Sequence, residues 1–407
     1  MSYKFDYRDD DVVAWSLTDD GATPTRIESY SPTIYVGTDG QEQLAKATQH
    51  LGELPAVTRT AVKHWRTGFR HDAEAVLRAD IERIDAVTDV ASTVAGWGTP
   101  GTYRLYNVDL TREFRFCLET ERTPVPGRSL RTVSIDAPTE QLARERFRTV
   151  TVDGVTVEGE TAILETITER LDTIDPDVLS LSSSQLVPQL YGMAERCGME
   201  QFDLGRLPGY EQLAGESTYE SYGQIGHSPA RYNVPGRVIV DRSNTFMWDE
   251  TNLDGCLYLV ERSGLPLQEL AWASIGRILT AIQIRHARDR NVLVPWHSWR
   301  HERFKSMQQL HDADRGGFTF APDVGFHENV HELDFSSLYP KSSSPGTSVR
   351  RPSAVTATRT VRTYPGSGTV SVQRLGISPM CWNHSSRTVM QSNNNSERQT
   401  SHSDALN

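Results

Sequence analysis

Lysine is nearly missing from this chain: only five of its 42 basic residues are lysines (Lys4, Lys46, Lys63, Lys305 and Lys341). Cysteine is also scarce. Cys117, Cys197, Cys256 and Cys381 stand far apart with no C-x-x-C pair, which excludes a disulfide framework and the common zinc spacings. No apolar run is long enough to span a bilayer, and the N-terminus carries no leader-like stretch. A membrane-spanning or secreted protein is therefore not expected, and a reduced, cytoplasmic setting is. Acid is what the chain has in plenty: 53 Asp+Glu leave a net charge of −11. Acid excess with arginine replacing lysine suits a cytosol of high ionic strength, a halophile-like pattern in which salt screens the repulsion.

The charge is unevenly placed. Residues 1–340 hold 34 basic against 51 acidic side chains, and residues 341–407 hold 8 against 2. An acidic body is not the usual footprint of a nucleic-acid binder, unless arginines cluster locally, as they do at Arg285, Arg288, Arg290, Arg300 and Arg303. Such a run also fits a solvated helix face. His227, His327 and His331 show no ligand spacing.

The pattern along the chain is mixed α/β. VVAWSL and TIYVG read as strands, and residues 73–94 space Ala73, Leu77, Ile81, Ile84 and Val87 at helical intervals. TYRLYNVDL and REFRFCLE read as strands of a hairpin or meander, and Pro124-Val125-Pro126-Gly127 marks a boundary. Beyond it the order becomes strand–helix–strand: LRTVSIDA, a helix over 161–174, VLSLSSS, another helix, GRVIVDRS, and a largely helical stretch over 266–290 opened by Pro266 at its first position. Residues 315–319 and 330–338 read as further strands. The last 67 residues contain 14 Ser and 8 Thr with few aliphatics, too little apolar surface to offset their ordering entropy, so a disordered tail is expected.

One segment is specific. GGFTFAPDVGFHENVHELDFSSLYP, residues 316–340, strongly resembles the exonuclease–palm junction of family-B DNA polymerases, especially the haloarchaeal type. YRLYNVDL, DPDVL, YESYGQIGHSPARYNVPGR and SIGRILTAIQIR are similar to the same group. The resemblance runs over about residues 5–340. It implies an N-terminal β-rich domain over 1–125, a degenerate ribonuclease-H-like 3′–5′ exonuclease domain over 126–312, the start of the palm over 313–340, and the tail over 341–407.

It also implies chemistry. Template-directed nucleotidyl transfer is an in-line displacement clamped by two Mg²⁺ ions, each held by one or two carboxylates and the substrate phosphates. By resemblance Asp334 is one such carboxylate, assisted by the Phe335 carbonyl. Ser337, Leu338 and Tyr339 would hold the incoming dNTP, with the Tyr339 ring beneath its sugar. Arg315, Gly316 and Gly317 would approach the DNA primer–template. Two parts of the family pattern are absent from the sequence: the Y-G-D-T-D-type hairpin with the second palm carboxylate, and the fingers motif Lys-…-Asn-Ser-x-Tyr-Gly. D-x-D occurs only at Asp9/Asp11, Asp175/Asp177 and Asp312/Asp314, outside such a hairpin. One carboxylate does not position two ions, so a truncated chain that does not polymerise alone is expected.

The tail has a candidate origin. A palm that continued with I-I-V-T-R-N-V-S-P-E-T-V-R, read one base late from GC-rich codons, can give S-S-S-P-G-T-S-V-R-R-P-S, which is residues 342–353. A frameshifted reading of palm sequence is therefore expected.

The exonuclease motifs are eroded as well. In SIDAPTE, Asp136 stands at a strand end with Pro138 where the family has Glu. LSLSSSQL carries Ser and Gln where Asn and Phe-Asp belong. Asp254 is the nearest match to the third motif, with Glu250 in place of its Tyr. Asp136 and Asp254 are expected to be surface carboxylates. A non-enzymatic DNA-binding accessory protein, using Arg315–Gly317 and the arginines near 288, is the alternative; a metal-dependent exonuclease silenced by Asp136→Ala is a third.

Overall fold

The computed structural model describes residues 2–8, 11–18, 21–99, 101–143, 148–221, 224–297, 306–313 and 325. Two compact units divide at residue 304. In the second, the described structure is a helix, Met307–Ala313.

The first unit opens with an antiparallel meander of β1 (Ser2–Arg8), β2 (Asp11–Thr18) and β3 (Gly21–Ile27). Next come β4 (Thr33–Thr38), α1 (Gln41–Gly52), β5 (Val57–Arg66), β6 (Ala73–Ile81), α2 (Val87–Ala95) and β7 (Tyr103–Tyr106). These form a βαββαβ unit, with an antiparallel sheet ordered β5-β6-β4-β7. Ile34, Val36, Leu77, Ala79 and Leu105 pack beneath Leu44, Leu51, Val90 and Val94 of the two helices. The opposite face is also closed: Tyr35, Val76 and Tyr106 pack against Leu293 and Trp65.

Burial on both faces explains a correction. The helical spacing in residues 73–94 holds only from Val87 onward; residues 73–81 are strand β6. Val76 and Leu77 are both fully buried because each faces a different layer, and a strand covered on both faces loses the simple alternation that marks it. A second correction concerns REFRFCLE, which is helix α3 (Arg112–Glu119). Arg115 and Glu119 pair across one turn at 3.0 Å, as i,i+4 neighbours do. Arg115, fully buried, donates to the carbonyls of Thr33, Asn107 and Val108. Its charge is thereby solvated internally, and the apparent Arg/Phe alternation is no amphipathic strand.

The remaining core is a mixed sheet. β8 (Thr132–Asp136), α4 (Thr139–Leu142), β9 (Thr149–Val152), β10 (Val155–Glu158), α5 (Glu160–Ile174), β11 (Val178–Leu181) and α6 (Leu186–Cys197) follow in order. Short strands β12 (Glu211–Ala214) and β15 (Arg231–Asn233) pair with each other, as do β13 (Ser217–Ser221) and β14 (Gln224–Ser228). β16 (Val238–Asp241) completes the five-stranded order β10-β9-β8-β11-β16. β8, β11 and β16 run parallel, and β9 and β10 are antiparallel. This is the ribonuclease-H-like arrangement that the resemblance implies. Helices α7 (Phe246–Ser263), α8 (Leu267–Leu270) and α9 (Ile275–Arg288) close the unit. Pro266 caps α8 rather than occupying its first turn. Its missing N–H costs nothing at either position.

The cores are continuous across residue 125. Tyr3, Trp15 and Phe114 share a cluster with Val178, Val238, Val260 and Leu270. Lys4, 1% exposed, contacts Asp6 at 3.2 Å and donates to Asn233 at 2.6 Å. Asp6 also accepts from Trp15 Nε1 and the Gly236 amide.

Candidate functional site

Parallel strands deliver their carboxyl ends to one edge, where open α/β sheets bind ligands. The register aligns Ile135, Leu181 and Asp241, so the next residues, Asp136, Ser182 and Arg242, form a row. The Arg242 guanidinium pairs with the Asp136 carboxylate. Ser182 Oγ accepts from the Ala137 amide at 3.0 Å. Asp241, 8% exposed, turns its carboxylate onto its own chain, accepting from the Ser243 amide at 2.9 Å and Ser243 Oγ at 2.6 Å. Asp254 is exposed on α7, beyond a kink at Asn252, where φ is 57°.

A ribonuclease-H-type cluster needs acids that converge on divalent cations without a competing cation. Here one acid is neutralised by arginine, one caps a turn, and one points to solvent. No group of three or more His, Cys, Asp or Glu side chains that could hold a metal occurs among the described residues. The donor set at this edge does not fit a pair of Mg²⁺ ions. Sequence reasoning located Asp136 and Asp254 but missed Asp241 and Arg242. The signal was present in GRVIVDRS, an acid and a base ending a buried strand.

Beside this edge lies a polar cleft of about 600 Å³, lined by Gln185, Glu216, Ser217, Thr218, His227 and Ser243. Glu216 accepts from Gln185 Nε2 at 3.0 Å, and Thr218 Oγ1 lies 3.3 Å from His227 Nδ1. A second cleft, about 720 Å³, is lined by Arg112, Glu113, Arg231, Glu269, Trp272 and Arg277 among others. Burial, and then the Glu269 charge and a hydrogen bond to it, raise the Glu113 pKa well above the carboxylate range. Glu269 accepts from the Phe114 amide at 3.0 Å and from Thr111 Oγ1 at 2.5 Å.

The Asp175-Pro176-Asp177 segment lies at the opposite end of the sheet. Arg206 reaches Asp175 at 2.8 Å and Asp177 at 2.9 Å, Arg128 reaches Asp177 at 2.8 Å, and Arg131 reaches Asp175 at 2.8 Å. Burial pushes the Asp175 pKa up, but the Arg206 hydrogen bond and the charges of Arg206, Arg237 and Arg131 outweigh it and leave the pKa low. This D-x-D is a structural ion-pair hub. Arg285, grouped by sequence with the candidate DNA contacts, donates to the Glu261 and Arg262 carbonyls and closes the end of α7. Asp334, Phe335, Ser337, Leu338, Tyr339, Arg315, Gly316 and Gly317 lie outside the described residues, as do Arg300 and Arg303.

No helix among the described residues is long and apolar enough to cross a membrane. No protein-family profile matches the chain. Over 75 residues, 18% of this chain and 12% of the relative, it is 35% identical to DNA polymerase 2 of Saccharolobus solfataricus. Its fold matches the family B DNA polymerase from the hyperthermophilic archaeon Pyrobaculum calidifontis with a TM-score of 0.55 at 16% identity, over 75% of this chain and 51% of that one. The chain thus spans about half the length of that structure and a smaller share of the curated relative. The chain is similar in sequence to a DNA polymerase over 75 residues and in fold to a family B DNA polymerase over three quarters of its length.

Proposed function

We propose that the protein handles primer–template DNA in the manner of a family-B DNA polymerase but neither proofreads nor, by itself, extends a primer. The observation that carries this is the Asp136–Arg242 pair at the carboxyl edge of the ribonuclease-H-like sheet. A guanidinium sits where metal-assisted hydrolysis requires a bare carboxylate. The domain would then serve as scaffold and channel wall. Residues 1–125 would form the N-terminal domain, 126–312 the exonuclease-type domain and 313–340 the beginning of the palm.

At the palm, Asp334 with the Phe335 carbonyl would hold Mg²⁺, Ser337, Leu338 and Tyr339 the dNTP, and Arg315, Gly316 and Gly317 the template. The single DFSSLYP-type motif supplies one carboxylate, and two-metal transfer needs a second. Residues 341–407 are read as out-of-frame palm sequence; an open alternative frame in the gene encoding the missing hairpin is the corresponding expectation.

The test is a primer-extension and exonuclease assay of the full chain with Mg²⁺, dNTPs and an end-labelled primer–template at high and low salt. Neither extension nor shortening is expected, with salt-dependent retention of the DNA. Robust extension, or Mg²⁺-dependent shortening that Asp136→Ala abolishes, would overturn the proposal.

A further inference from the structure

The β5–β6 hairpin departs from the charge of the rest of the molecule. From residue 57 to 71 it carries Arg59, Lys63, Arg66 and Arg70 with two histidines and no acid, in a chain whose net charge is −11. Arg59, Lys63 and Arg70 are exposed and make no ion pair among the described residues. Arg59 and Lys63 fall on one face of β5, with Trp65 beside Lys63 in the same alternating row. Arg288, from the end of α9, lies over the Trp65 ring at 4.8 Å and brings a further cation to that face.

The tip is built to present a ring. Arg66 donates to the Phe69 carbonyl at 2.8 Å and the His71 carbonyl at 2.9 Å, fixing the turn. The Phe69 side chain stands 56% exposed at its end. The hairpin's own acids are the exposed Asp72, Glu74, which accepts from Thr67 Oγ1 at 2.6 Å, and Asp80, the cross-strand partner of Arg59, which Arg78 holds at 2.6 Å; Asp289 is exposed after α9. The inner strands of the sheet are covered on both faces, whereas β5, at the sheet edge, leaves Arg59 and Lys63 exposed.

We propose that the β5–β6 hairpin is a binding arm for single-stranded DNA, in which Phe69 stacks on a base while Arg59, Lys63, Arg70 and Arg288 contact phosphates. This rests on the DNA-handling reading above and names a surface for it. Cations beside an exposed ring are what sequence-tolerant strand binding requires: stacking accepts any base, and guanidinium and ammonium groups follow the backbone.

The test uses the full chain and a fluorescein-labelled mixed-sequence oligodeoxynucleotide of about twenty bases, followed by anisotropy over a salt series. Phe69→Ala should weaken binding roughly tenfold with an unchanged salt slope. Lys63→Ala with Arg70→Ala should reduce the slope of log affinity against log salt by about 1.4, near 0.7 for each phosphate no longer neutralised. All three positions are exposed, and unchanged melting temperatures would show that the variants fold. If wild type binds and the variants bind equally, the arm is refuted and the broader proposal stands. Failure of wild type to bind at low salt would refute both. Equal affinity for blunt duplex, with no effect of Phe69→Ala, would also overturn the arm.

Discussion

Asp177→Ala tests the buried hub at the amino end of β11. Asp177 is fully buried. It accepts from Arg128 at 2.8 Å, Arg206 at 2.9 Å and the Arg131 amide at 2.9 Å. Arg206, with 8% of its side chain exposed, is also tied to Tyr3 at 2.7 Å. Truncation removes the carboxylate partner of Arg128 and leaves Arg206 with Asp175 alone, and breaking a buried pair of this kind costs about 3–5 kcal/mol. At about 2 °C per kcal/mol for a unit of this size, melting should fall by about 6–10 °C. Asp177→Asn should lose most of the same amount, because an amide nitrogen would face a guanidinium. Differential scanning calorimetry at low and high KCl is the assay, since a buried pair is screened far less than a surface one. The exposed Glu42–Lys46 pair is the internal contrast: Lys46→Ala should leave melting unchanged. A loss below about 1 kcal/mol for Asp177→Ala, or one that disappears in salt, would refute the reasoning.

Three further outcomes follow from particular side chains. Glu113→Gln should raise the melting temperature at pH 7 and have no effect near pH 4, read by thermal melts. The folded protein holds the Glu113 pKa above its unfolded value through burial and the Glu269 charge, so the acid costs stability once pH exceeds the unfolded pKa. Gly236→Ala should destabilise by about 2–4 kcal/mol in denaturant titration. Gly236 has φ +78°, and a Cβ there would meet Arg206 Cβ and the Trp15 ring at 2.9 Å. Arg242→Ala should not create Mg²⁺-dependent nuclease activity on labelled DNA, because it frees only Asp136 while Asp241 stays bonded to Ser243. Cleavage by that variant would show that one cation alone suppresses the site.

Much of the sheet was legible because its strands are short runs of β-branched residues between breakers: TIYVG, TVSID, VLSL and VIVD all form strands. The two misread elements failed for tertiary reasons. β6 looked helical because both faces are buried, and α3 looked like a strand because Arg115 is sunk among carbonyls from distant residues. The site was half legible. Asp136 stood out by its place in SIDA, whereas its partner Arg242 directly follows a strand more than a hundred residues later. Only the parallel register of β8, β11 and β16 brings the two together. The hub function of Asp175 and Asp177 was equally hidden, since its four arginines come from three separate segments.

The sheet explains how fold and chemistry can part company in one chain. Its packing depends on Val133, Leu179 and Ile239, which lie inside the core, away from the carboxyl edge. A change of residue at the edge leaves that apolar packing intact, so Ser182 and Arg242 can stand beside Asp136 without disturbing the strands. At the opposite end the acids are kept, but four arginines consume them. Electrostatics therefore fixes what each end of β11 can do. Acids saturated by guanidinium anchor the chain to itself, and only an acid without such a partner could recruit a metal ion. The hairpin shows the converse case: in a strongly acidic molecule, Arg59, Lys63 and Arg70 are cations with no ion pair among the described residues, which leaves their charge available to a polyanion.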